Sequence, residues 1–139
     1  MQWRPGKNAG FSNADPWLPV ASNSSQVNVE TELHNPNSIY SWYRSLLKLR
    51  HENAALRDGD YIPLESGNRN VLAFARKARD GSSVLVIMNM SGTNQSLAMS
   101  GFAAWLQLSR VLLASPTMDA PKSSRLGLAP YAVLIGAGH

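Results

Sequence analysis

Apolar and polar positions fall into three regimes along the chain. Residues 1–34 have no apolar period at all, and Asn, Ser, Pro and Gly are interleaved with Trp3, Phe11 and Trp17. That composition predicts a long loop with one short extended piece at Gln26–Val29. A helical period follows, with Ile39, Trp42, Tyr43, Leu46 and Leu49 recurring at three- and four-residue intervals. The spacing predicts one amphipathic helix over residues 35–53. Asn35 is placed to cap it, and Pro36 suits its first turn, where a missing N–H costs nothing. A stripe with two large aromatics needs a sizeable neighbour to cover it.

From Asp58 the period shortens towards two. Asp58–Asp60 read as a turn and Tyr61–Leu64 as a short strand. Val71–Arg76 and Ser83–Asn89 read as two strands of a hairpin around Asp80-Gly81, where positive backbone angles are needed. Further strands are expected at Gln95–Met99, Val111–Ala114, Arg125–Leu128 and Tyr131–Ile135. Seven short strands with frequent turn residues predict a mainly β fold, a small antiparallel β-sandwich of Greek-key type preceded by one helix and a long N-terminal loop.

Composition narrows the functional classes. The 139 residues are 44% hydrophobic and 16% charged, as expected of a globular chain with its own core. No apolar run approaches the roughly 20 residues of a membrane-crossing helix. The net charge of +4 raises nucleic-acid binding as an option. The basic residues do not form a stripe, however: Arg44, Lys48 and Arg50 sit near Glu52, and Arg76, Lys77 and Arg79 beside Asp80. They read as solvated faces, so no nucleic acid is expected. There is no cysteine, which excludes disulfides and thiol catalysis and leaves cytoplasm and periplasm equally open.

Chemistry-bearing patterns are sparse. His34, His51 and His139 lack partners at ligand spacing, so neither metal nor cofactor is expected. Glu30 and Glu32 alternate as they would along an extended segment, superficially like a glycosidase carboxylate pair. Catalytic carboxylates face each other across a pocket in different environments, whereas neighbours on one exposed edge share both side and solvent. They read as surface acids. No Gly-x-Ser-x-Gly elbow or phosphate-cradling Gly-rich loop occurs. No catalytic residue is assigned.

A succession of short motifs carries more. Met1-Gln2-Trp3, Asn8-Ala9-Gly10-Phe11-Ser12, Pro16-Trp17-Leu18-Pro19-Val20, Asn28-Val29-Glu30, Asn35-Pro36-Asn37-Ser38-Ile39 and Trp42-Tyr43-Arg44 stand in this order. Gly59-Asp60-Tyr61, Val71-Leu72-Ala73-Phe74 and Val84-Leu85-Val86 follow, with Leu128-Ala129-Pro130-Tyr131 further on. In order and spacing they resemble glycoside hydrolase family 13, in its α-glucosidase and oligo-1,6-glucosidase branch. The resemblance implies a (β/α)₈ barrel of about 250 residues or more in the parent, with the active site on the loops after its strands. Residues 1–57 would be a barrel-edge loop and the last barrel helix, and residues 58–139 a C-terminal β-sandwich domain. Met1 would then be an internal methionine, and Arg4 stands where the family has an acidic or small polar residue.

The resemblance further implies a retaining enzyme acting on α-linked gluco-oligosaccharides through a glycosyl-enzyme intermediate. Its catalytic carboxylates would precede this segment, so the chain alone is expected to be inactive and to lack its partner, the catalytic barrel. Gln2, Trp3, Phe11 and Trp17 are the loop candidates for substrate contact. Loop-to-barrel packing is their plainer role. Without the barrel, part of the helix stripe would be bare and would favour self-association. The alternative is a free-standing β-sandwich module binding carbohydrate or a protein partner through exposed aromatics.

Overall fold

The computed structural model describes residues 1–101, 110–116 and 125–138; His139 lies outside them. The chain divides into two compact units, Met1–Leu47 and Lys48–His139.

In the first unit the opening loop is held by its own backbone. Asn8 and Ala9 both adopt the left-handed conformation at φ 52°, which non-glycine residues seldom do. The resulting reversal buries Ala9, whose carbonyl accepts the N–H groups of Trp3 at 2.9 Å and Arg4 at 3.2 Å. Asn8 Nδ2 clamps the far side by donating to the carbonyls of Ser12 and Ala14.

The predicted extended piece at Gln26–Val29 is not a strand. Asn28 instead caps a helix, α1 (Val29–Leu33), its Oδ1 accepting the Thr31 N–H at 2.9 Å. The free N–H groups of Val29 and Glu30 donate to the carbonyls of Gln2 and Trp3, so the chain start is stitched to the helix start. Glu30 and Glu32 therefore sit on a helix rather than along an extended edge. Two positions of a helix are about 200° apart, so the two carboxylates do not share a face.

The long helix α2 runs Ile39–Glu52, starting later than Asn35 and Pro36 predicted. Asn35 Oδ1 closes a turn with the Asn37 N–H, and Ser38 takes over the cap by accepting the Ser41 N–H at 3.1 Å. Glu32 Oε2 accepts the Tyr40 N–H, which satisfies another donor of the first turn. The helix ends at Glu52 because Asn53 caps a further short helix, α3 (Ala54–Asp58), so Asp58 ends a helix rather than opening a turn.

The second unit bears out the mainly β expectation. Strands β1 (Asp60–Leu64), β2 (Val71–Lys77), β3 (Ser83–Asn89), β4 (Gln95–Ala98), β5 (Arg110–Ala114), β6 (Arg125–Leu128) and β7 (Val133–Gly138) form two sheets. One is five-stranded in the order β1-β2-β3-β7-β5, the other pairs β4 with β6, and every pairing is antiparallel. The chain leaves β3 for the second sheet, crosses to β5, returns to β6 and inserts β7 between β3 and β5. Val71, Ala73, Ala75, Leu85, Ile87 and Leu134 of the larger sheet pack on Leu97, Leu126 and Leu128 of the smaller one.

β3 is central, and its continuous apolar run Val84–Met88 has the reason expected of a strand covered on both faces. Leu85 and Ile87 point into the sandwich, while Val84 and Val86, alternating to the other face, are buried as well. Helix α3 packs on β2 and β3, with Ala55 wholly buried. Both edges of the large sheet are blunted, β1 by Pro63 and β5 by a register shift between Val111 and Leu113.

The hairpin between β2 and β3 needs only one positive angle. Its loop is Ala78–Ser82, closed by Ala78 N–H to Ser82 O, with Gly81 alone at φ 88°. Asp80 instead accepts the Ser82 hydroxyl at 2.6 Å and the Ser82 N–H at 2.8 Å, which hold its carboxyl below the ordinary aspartate value. The last strand begins at Val133 rather than Tyr131, because Tyr131 takes φ 56° in the preceding turn.

Candidate functional site

The four loop candidates separate into two hollows of the first unit. Gln2, Phe11 and Trp17 line an open hollow of about 670 Å³ together with Asp15, Pro16 and Leu18. Trp17 is 91% exposed, so its indole lines the hollow without being packed within this unit. Trp3 belongs to a second hollow of about 700 Å³, lined by Met1, Gln2, Val27, Ile39, Tyr40 and Tyr43 among others. Gln2 is common to both, its side-chain amide anchored on the Val27 carbonyl.

The left-handed pair Asn8–Ala9 produces this arrangement. By turning the chain back under Trp3 it brings residues 11–17 alongside Gln2. Gly10, at φ 67°, completes the turn, and its missing side chain leaves room for the Arg4 stem: a Cβ there would lie 2.6 Å from Arg4 Cγ.

Chemically the first hollow offers aromatic faces, the side-chain amides of Gln2 and Asn8, and a single carboxylate, Asp15. It can stack and hydrogen-bond a ligand, but it does not oppose two carboxyl groups across a bond. Glu30 and Glu32 do not enter it: Glu32 caps α2, and Glu30 is exposed on α1. Among the described residues no three His, Asp or Glu side chains come together at ligand distance.

Helix α2 supplies a feature that periodicity only half reveals. Trp42, Leu46 and Leu49 are half-buried, whereas Ile39, Tyr43 and Leu47, at i, i+4 and i+8, are 71%, 61% and 64% exposed. The predicted single stripe is thus split. Leu47 lies outside the periodic set, and Tyr43 stands apart from Trp42. Cations and anions of the helix end are solvated, Lys48 meeting Glu52 at 3.9 Å with both side chains largely exposed.

Comparison with known proteins places these features. Residues 1–59 match the α-amylase catalytic domain, and residues 68–135 match the C-terminal immunoglobulin-like domain of D-apionate lactonase. The glucan 1,6-α-glucosidase of Streptococcus pneumoniae is 41% identical over 101 residues, which are 73% of this chain and 18% of that enzyme. The α-glucosidase of Culex pipiens is 31% identical over 137 residues, covering 94% of this chain and 23% of the relative. The trehalulose synthase MutB of Pseudomonas mesoacidophila MX-45 superposes with a TM-score of 0.87 at 32% identity, covering 99% of this chain and 24% of that one.

Its first part is therefore of the α-amylase catalytic-domain kind and its second an antiparallel immunoglobulin-like sandwich. The chain belongs to glycoside hydrolase family 13, the α-amylase family, and its relatives include oligo-1,6-glucosidases and α-glucosidases. It spans less than a quarter of the length of the curated relatives named here.

Proposed function

We propose that the chain is the C-terminal portion of a retaining α-glucosidase acting on α-linked gluco-oligosaccharides. Residues 1–57 then serve as a barrel-edge loop and last barrel helix, and residues 58–139 as the supporting β domain. The observation that carries the reading is the bare stripe Ile39, Tyr43 and Leu47, beside the apolar hollow that Trp3 and Tyr43 line. A helix that shows water an ordered apolar row at i, i+4 and i+8 is built to be covered. The match of residues 1–59 to the α-amylase catalytic domain supports the remainder of a barrel as that cover.

In this reading the nucleophile, the acid/base and the stabilising carboxylate belong to the rest of the enzyme. This segment presents Gln2, Phe11 and Trp17 towards the substrate side, with Trp3 packing against barrel. Glu32 is committed to capping and Glu30 is exposed on α1, which supports a chain without catalytic groups. The test is hydrolysis of p-nitrophenyl α-glucoside by the purified chain. No turnover above a buffer blank is expected. Turnover that survives repurification and vanishes in the double variant Glu30→Gln, Glu32→Gln would overturn the assignment.

A further inference from the structure

The second unit carries a surface that its role as a support does not explain. Tyr131 is the third residue of the turn Ala129–Ala132, closed by the Ala132 N–H to the Ala129 carbonyl at 3.1 Å. Pro130 precedes it and its φ is 56°, so it occupies the position of a turn that favours Gly or Asn. A tyrosine there adopts a backbone that L side chains disfavour, and no burial compensates, since the residue is 71% exposed.

The ring lies against Gly92. A Cβ at that position would come within 3.2 Å of Tyr131 Oη and 3.7 Å of Cζ, so the glycine keeps the seat flat. Beside it, the Tyr131 N–H donates to the Ser91 carbonyl at 3.1 Å. A connected set of amides and hydroxyls adjoins this point: Gln95 Nε2 donates to Ser91 Oγ at 3.2 Å and Thr93 Oγ1 at 2.9 Å, and Asn68 Nδ2 donates to Gln95 Oε1 at 2.9 Å. No charged side chain takes part in these bonds. Each amide retains donor or acceptor capacity beyond the bonds it makes.

An exposed aromatic face beside ordered, uncharged amides and hydroxyls fits a neutral sugar. The C–H face of a pyranose stacks on the ring, and its vicinal hydroxyls pair with the amides. We infer that the Tyr131 platform, with Gly92 beneath it and Gln95, Thr93 and Asn68 beside it, binds a neutral gluco-oligosaccharide on the β domain. The existence of the platform rests on its geometry. Its preference for α-linked glucose rests on the proposed function.

Titration of the ¹⁵N-labelled chain with maltoheptaose, and separately with cellohexaose, tests both. Saturable shifts at the Gly92, Thr93 and Tyr131 amides are expected with maltoheptaose. Tyr131→Gly should raise Kd by about tenfold or more while leaving the thermal midpoint no lower, because glycine relieves the backbone; Tyr131→Phe should retain binding. Shifts with cellohexaose alone would uphold the platform and overturn the α-glucoside reading. Shifts with neither sugar would overturn the platform, and a lowered midpoint for Tyr131→Gly beside them would make Tyr131 a structural residue.

Discussion

The bare stripe on α2 can be tested by replacing what is exposed and sparing what is not. The variant Ile39→Gln, Tyr43→Gln, Leu47→Lys leaves the half-buried Trp42, Leu46 and Leu49 in place. Full burial of a large apolar side chain is worth about 1.5–3 kcal/mol relative to exposure. With exposures of 71%, 61% and 64%, roughly two thirds of that gain is unrealised at each position. The three together leave about 3–6 kcal/mol of driving force unmet. Part of any association gain is lost to immobilising two molecules, so the observable effect is smaller than this sum. The concentration at which the chain self-associates in analytical ultracentrifugation should rise by at least about tenfold in the variant. Its denaturation midpoint should move little, because exposed positions contribute only about ±0.5 kcal/mol each. A variant that unfolds while the parent chain is monomeric would refute the reasoning, because the stripe would then be interior.

Four further outcomes follow from the second unit. Asn89→Leu removes a buried amide that donates to the carbonyls of Thr93, Leu128 and Ala129 and accepts from Ser91; a loss of about 2–5 kcal/mol in urea unfolding is expected. Gly59→Ala should cost more than about 1 kcal/mol by the same measurement, since its Cβ would meet Ala55 O at 2.4 Å and the Lys77 carbonyl at 2.9 Å. The folded-state depression of the Asp80 carboxyl pKa stabilises the hairpin above the unfolded aspartate value, and that contribution is lost as pH falls through the folded one. Ser82→Ala should raise the Asp80 pKa in an NMR titration; an unchanged value would show that the Ser82 side chain is not its main cause. A shortened chain starting at Lys48 should melt at higher temperature than one starting at Asp58, because only the former keeps the buried Ala55 against β2 and β3.

The strands are legible in the sequence because their signals are local: short runs of apolar, β-prone residues bounded by Gly, Pro, Asn, Asp and Ser fit β2, β3, β4, β5 and β6 closely. The pattern starts β7 two residues early, since a left-handed Tyr131 leaves no mark in the sequence. The start of α2 is displaced for a different reason. Asn35 and Ser38 are both good caps, and the choice falls to Ser38 because Glu32, already positioned by α1, satisfies Tyr40. Helices α1 and α3 are only five residues each, too short for a period, although Asn28 before Val-Glu-Thr and Asn53 before Ala-Ala-Leu are capping signals. Of the candidate site, the residue types are legible but not their grouping. Gln2 meets Phe11 and Trp17 only because Asn8 and Ala9 turn left-handed, and alanine gives no hint of that.

The central claim, that this chain completes a barrel carried elsewhere, is most directly tested by co-purification. The relative MutB, truncated by the quarter that this chain matches, is co-expressed with the tagged 139-residue chain, and the amount retained with the tag is measured. The account predicts a stable complex that is lost when Tyr43 and Leu47 are both changed to Arg. Failure of the soluble, folded truncated enzyme to bind the folded chain, or retention unchanged by those two substitutions, would contradict it.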